Sequence, residues 1–207
     1  MRPHTRIGEI IATTSLNFIA QRLDPQTGDE SPRPVQPPNL GSLVWAKLPI
    51  AGRVYAVVSF GTTTGLDAGR RAVTFSREDV TDEEVYREQP HLSNVLRTEF
   101  DALLVGYKDA TGRLFRHLPP QPPPLHFAVY TCTPDEVAQF SEDMRYLRLL
   151  LATSARVPGE QLLAAHVREV YRARGEDDAW LEGAARYIAN LLKRDYERLR
   201  AALEALN

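Results

Sequence analysis

The chain has 207 residues, 43% of them hydrophobic and 25% charged, with a formal net charge of −2, which suits one domain with an appendage or two small domains around a real apolar core. Basic and acidic residues number 14 and 14 up to Thr133, and 11 and 13 from Pro134 onward, an even spread that disfavours a dedicated electrostatic nucleic-acid binder. Cys132 is the single cysteine, which excludes an internal disulfide and a cysteine-cluster zinc site. With no basic-then-apolar leader and no apolar run near ~20 residues, a soluble cytoplasmic protein without a membrane span is expected.

Ile7 to Leu23 is rich in β-branched residues, and Thr13-Thr14-Ser15 is a poor helix interior, so the stretch reads as one long strand with a bulge or corner at the triplet. Asp24 to Asn39 carries five prolines and reads as a loop. Leu40 to Pro49 and Arg53 to Phe60 form the clearest hairpin, with Leu43, Trp45, Val54, Ala56, Val58 and Phe60 at the period of two that a half-buried strand requires. The glycines of Gly61 to Gly69 invite a phosphate-loop reading, but no Gly-Lys-Ser/Thr follows, so a plain connector is expected.

A short strand at Ala72 to Phe75, a capping box at Thr81 to Glu84 and a second helical turn from Pro90 come next. The acids around Glu78 to Glu88 read as helix-start charges rather than a divalent-metal site. Phe100 to Tyr107 returns to strand character, with Asp109 to Gly112 as a turn and Arg113 to Leu118 as its partner. The proline run from Leu118 to Leu125 is a stiff extended crossover with no donors for a ladder. A strand from Leu125 to Thr131 follows, and His117 and His126 beside the run lack a third ligand in the nearby sequence.

Thr133-Pro-Asp-Glu136 is a second capping box with proline at the first helical position. Val137, Phe140, Met144, Leu147 and Leu151 make one apolar stripe, Leu163, Val167, Val170 and Tyr171 a second, and Leu181 to Leu203 a third beginning near Asp177. The expected fold class is therefore α+β: a small closed or partly open β-barrel over residues 1–132, then a three-helix region over residues 133–207.

No nucleophile elbow, His-Glu-x-x-His, Walker A loop or Gly-x-Gly-x-x-Gly occurs, so the sequence offers no catalytic residues, and no cofactor or metal is expected. Basic and aromatic residues interleave thinly, at Tyr107 with Lys108 and at Phe115 between Arg113 and Arg116; these would make one candidate nucleic-acid face on the barrel, with core aromatics beside solvated neighbours as the plainer reading.

Ile7-Gly-Glu-Ile-Ile-Ala-Thr-Thr-Ser with Phe18, then Leu40-Gly-Ser-Leu-Val and Val54-Tyr-Ala-Val-Val, resembles the HAS-barrel, the small β-barrel at the N-terminus of HerA-type DNA translocases and of rotary ATP synthase catalytic subunits. The resemblance covers roughly Arg6 to Phe60, with Phe100 to Thr131 as closing strands. In the translocases this barrel precedes a hexameric ATPase core and is associated with ring assembly and docking of a partner nuclease. Here helices stand where the ATPase would follow, so ATP hydrolysis does not carry over. The resemblance implies a free-standing, non-catalytic interaction module whose partner is a translocase or nuclease of DNA-end processing, and it leaves a homo-oligomer open. The alternative expectation is a single-stranded nucleic-acid binder.

Overall fold

The computed structural model describes residues 4–23, 35–49, 52–65, 84–85, 88, 95–153 and 156–206. Among these residues seven antiparallel strands come first: β1 (Arg6–Thr13), β2 (Asn17–Arg22), β3 (Leu43–Lys47), β4 (Arg53–Gly65), β5 (Leu96–Lys108), β6 (Leu114–Phe115) and β7 (Ala128–Thr131). They hydrogen-bond in the order β2-β1-β7-β3-β4-β5-β6, and a further β2–β5 pairing closes the first six into a barrel. Closure removes the unpaired edges of the sheet. Antiparallel alternation puts the turns after β1, β3 and β5 at one end of this barrel.

The interior is filled by side chains. Ile10, Phe18, Phe100 and Leu104 pack there with the small Ala20, Ala46, Ala56 and Ala102, the large-and-small mixture that fits a tapered barrel. Leu48, Leu118 and Phe127 pack against the same cluster. The proline run after Leu118 thus leads away from a residue that helps seal the barrel at the turn end.

Alternation in β3 and β4 predicts one buried face, yet Leu43 to Ala46 and Val54 to Val58 are all buried. Val44, Ala46, Val54 and Ala56 face the interior, while Leu43, Trp45, Tyr55 and Val57 belong to a second core that includes the helices. Burial on both faces explains the near-continuous apolar run Val-Tyr-Ala-Val-Val.

Local differences from the expected elements have identifiable causes. Ile7 to Leu23 is a hairpin of two strands, because Thr14 reverses the chain: its hydroxyl accepts from the Leu16 and Asn17 amides at 3.1 Å each, and its amide donates to the Asn17 carbonyl at 2.8 Å. The irregularity lies elsewhere, between Ile10 and Ala12. Gly61 to Gly65 continues β4, because Gly61 to Gly65 pair in register with Phe100 to Leu96. β5 accordingly begins at Leu96, ahead of the strand start expected at Phe100. β6 and β7 are shorter than expected; His126 has φ +64°, a left-handed conformation that turns the chain just before β7. The expected strand at 72–75, the start of the capping box at 81 and most of the acidic group lie outside the described residues.

Among the described residues five helices follow where three were expected: α1 (Pro134–Ser141), α2 (Leu147–Thr153), α3 (Gly159–Ala173), α4 (Asp178–Leu191) and α5 (Tyr196–Glu204), with a 3₁₀ turn at Met144–Tyr146. Two aspartates explain the extra breaks. The Asp143 carboxylate accepts the Arg145 amide at 3.0 Å and the Asp195 carboxylate accepts the Arg198 amide at 3.2 Å, each starting a new turn inside a continuous apolar stripe. The capping box of α1 forms as predicted: Thr133 Oγ1 accepts from the Glu136 amide at 3.3 Å, and Glu136 Oε2 accepts from the Thr133 amide at 3.0 Å. Among the described residues no helix is long and apolar enough to cross a membrane.

The far end of α1 shows how the helices are tied to the barrel. Its last four carbonyls have no backbone donors within the helix, and every one is met by a side chain from elsewhere. Arg174 Nη1 donates to Ala138 at 2.9 Å, Arg116 Nη2 and Nε donate to Gln139 and Phe140 at 2.8 and 2.7 Å, and Trp180 Nε1 donates to Ser141 at 2.9 Å. α1 carries no basic residue in its own last turn, so the favourable cations are imported from β6–β7 and α3. Arg116→Ala is expected to lower stability by about 1–2 kcal/mol in urea unfolding, because two carbonyls lose a charged donor; Arg116→Lys should restore only part, having no planar fork.

Candidate functional site

The five residues proposed as a nucleic-acid face divide between two sides of the β5–β6 hairpin. Tyr107 and Phe115 are directly opposed across the strands, and their rings stack 4.7 Å apart at 13°. His117 meets both edge-on, at 5.5 and 5.6 Å, and the Arg113 guanidinium lies 5.0 Å from the Phe115 ring centroid. Lys108 pairs with Leu114 in the alternate register, so it projects from the other side of the pleat, where Leu114 packs on the helical core. Arg116 is committed to α1. The hairpin therefore presents a three-ring cluster with one guanidinium, in which Tyr107 and Phe115 use ring faces on each other.

The turn that presents it is well braced. Asp109 Oδ1 accepts from the Thr111 hydroxyl at 2.6 Å and from the amides of Thr111 and Arg113 at 2.9 and 3.0 Å. The Thr111 bond, followed by the backbone amides and the Arg113 charge, holds the Asp109 carboxyl below its ordinary range.

A second constellation, invisible in the sequence, surrounds Trp45. Its ring stacks on Tyr130 at 4.4 Å and lies 4.1 Å beneath the Arg53 guanidinium. Arg53 Nη1 donates to Glu136 Oε1 at 2.6 Å, and His4 Nδ1 approaches Glu136 Oε2 at 3.5 Å. Glu136 thus serves the α1 cap and the barrel wall together. Burial pushes the Tyr55 hydroxyl up to about 12 and the Cys132 thiol well above its usual range, with Glu136 adding to both. Both stay protonated at neutral pH, and an uncharged thiol is a poor nucleophile.

A third centre is fully buried. His166 Nδ1 is 2.6 Å from the Gly41 carbonyl and Nε2 is 2.8 Å from the Tyr146 hydroxyl. A carbonyl can only accept, so Nδ1 carries the proton, and Nε2 accepts from Tyr146. Burial lowers the imidazole pKa to about 4, opposed only by the Gly41 bond. His166 sits on the inward stripe between Leu163 and Val170. A histidine in an apolar stripe was the signal that could have flagged it.

Where β3, the β7–α1 link and α3 meet, a solvent-open pocket of about 190 Å³ remains, lined mainly by apolar side chains together with Ser42, Thr131, Cys132 and Glu169. Ser42 Oγ donates to Glu169 Oε2 at 3.3 Å across 127 positions of sequence, a separation that no local pattern reveals. Among the described residues, no group of three or more His, Cys, Asp or Glu side chains is placed to hold a metal ion.

Fold and site together define a closed six-stranded antiparallel barrel with a helical layer on its outer wall and a pocket at the seam. No protein-family model matches the chain, and no curated protein matches it as a relative.

Proposed function

We propose that this chain is a non-catalytic protein-interaction module, an accessory to a HerA-type DNA translocase or its nuclease in DNA-end processing. The barrel resemblance at Ile7–Ser15, Leu40–Val44 and Val54–Val58 suggests the company. The observation that carries the interaction reading is the open apolar pocket at the barrel–helix seam, whose one thiol, Cys132, is held neutral by burial. Such a surface suits docking better than proton or acyl transfer. Calorimetric titration against the purified HerA-type translocase and the nuclease of the same genome tests it. Saturable heat with either supports the assignment, and silence with both removes it.

The Tyr107–Phe115–His117 cluster with Arg113 favours a second reading, a barrel that binds single-stranded nucleic acid. Fluorescence anisotropy with a labelled single-stranded DNA of about 20 nucleotides separates the two. The interaction module is expected to show no salt-dependent binding. A nucleic-acid binder would bind at low salt and lose about ten-fold or more on Phe115→Ala, since one stacked base contributes ~1–3 kcal/mol.

A further inference from the structure

The seam pocket has a size and a chemistry that narrow what can enter it. At about 190 Å³ it exceeds the ~150 Å³ engineered cavity that accommodates benzene, so it takes a single leucine- or phenylalanine-sized group. Leu43, Val137, Val170, Ala173 and Pro38 supply the apolar wall, and Cys132, kept as a neutral thiol by burial, adds no charge.

Glu169 is the exception. Its carboxylate lines the pocket with 21% of its side chain exposed, and it holds Ser42 Oγ at 3.3 Å and Arg172 Nη2 at 3.0 Å. A carboxylate offers about four acceptor sites, so these bonds leave capacity for another donor. Arg172 is 60% exposed and its attraction is screened by water. A cation brought in beside a seated apolar group would meet Glu169 with less solvent between them. An acidic neighbour would be repelled.

We propose that this pocket receives an aliphatic anchor side chain of a partner protein, with an adjacent lysine or arginine of that partner on Glu169. The proposal rests on the protein-interaction reading and names the partner's chemistry. A free ligand small enough for the pocket gains little affinity by itself, whereas a protein adds contacts around the mouth, which favours a protein occupant over a metabolite.

The test uses three capped tripeptides, Lys-Leu-Lys, Glu-Leu-Glu and Lys-Ser-Lys, titrated into the ¹⁵N-labelled full chain. Lys-Leu-Lys is expected to shift the amides of Ser42, Val44, Val137 and Ala173 saturably, with the other two at least about five-fold weaker. Glu169→Gln should weaken Lys-Leu-Lys about three-fold and narrow its advantage over Glu-Leu-Glu. Ala173→Leu, which fills the half-buried wall with the protein's own carbons, should abolish the shifts at an unchanged melting temperature. Equal effects of Lys-Leu-Lys and Glu-Leu-Glu, shifts confined to other surfaces, or unimpaired binding to folded Ala173→Leu would each overturn the assignment. If the translocase or nuclease binds the chain and still binds Ala173→Leu, the pocket proposal falls and the interaction reading stands. If neither protein nor peptide binds, both fall.

Discussion

Lowering the pH from 7.5 to 4 is expected to cost the fold about 3 kcal/mol through His166 alone, with about 2 kcal/mol of that already lost at pH 5. The buried imidazole has its pKa depressed to about 4, against 6.5 in an ordinary setting. Below 6.5 the unfolded chain binds a proton that the folded chain refuses. The contribution is therefore complete above pH 6.5 and is lost progressively as pH falls toward 4. Geometry supplies the reason: a proton on Nε2 would face the Tyr146 hydroxyl, which now donates to that nitrogen, and burial denies the new charge any water.

Carboxylates also titrate in this range, so the His166 share has to be read by difference. His166→Asn keeps an N–H near the Nδ1 position and removes the titration. Urea unfolding of both proteins from pH 8 to 4 should show the native chain losing its advantage over the variant as pH falls. Parallel curves would mean that His166 does not carry the acid sensitivity. Tyr146→Phe should leave Nε2 without its donor and lower stability at pH 8 by about 1–3 kcal/mol.

Those residues also show where sequence reasoning reaches and where it stops. Local signals carried well: the capping box at Thr133–Glu136, the β3–β4 hairpin and the Asp109–Gly112 turn are all present, and so is the α+β class with a closed barrel before the helices. Each depends on residues within a few positions of one another. Other features depended on contacts between distant segments. Period-two alternation could not show that β3 and β4 are buried on both faces, because the second face is covered by helices about a hundred residues later. The apolar stripe from Val137 to Leu151 suggested one helix, yet the Asp143 cap divides it. Lys108 and Tyr107 looked like one cationic–aromatic surface, but adjacent residues on a strand point to opposite sides. The pocket was least legible of all, being assembled from four separate stretches of chain.

Gly41→Ala is expected to be among the most damaging single-methyl additions in the protein, at about 4 kcal/mol, combining overpacking with a lost buried hydrogen bond. Gly41 has φ +86°, and a Cβ there would lie 2.5 Å from the His166 amide nitrogen, 2.6 Å from the Ala165 carbonyl carbon and 2.8 Å from His166 Cα. All three are backbone atoms of α3, so no side chain can rotate away and the helix itself must retreat. Retreat would stretch the Gly41–His166 bond and the Ser42–Glu169 bond, both of which hold α3 to the barrel. Gly112→Ala separates this contact from plain backbone strain. Gly112 has nearly the same φ, +87°, but its nearest neighbour would be the flexible Lys108 Cε at 3.7 Å, so about 1 kcal/mol is expected from the left-handed conformation alone. The difference between the two variants in urea unfolding measures how tightly α3 seats on the barrel. If Gly41→Ala costs no more than Gly112→Ala, the helix does not seat there, and the pocket it walls would lose its basis. The Leu-Gly-Ser of residues 40–42 then has a physical meaning beyond any resemblance: its glycine is where the barrel accepts the backbone of a helix, and its serine lines the pocket that the same helix completes.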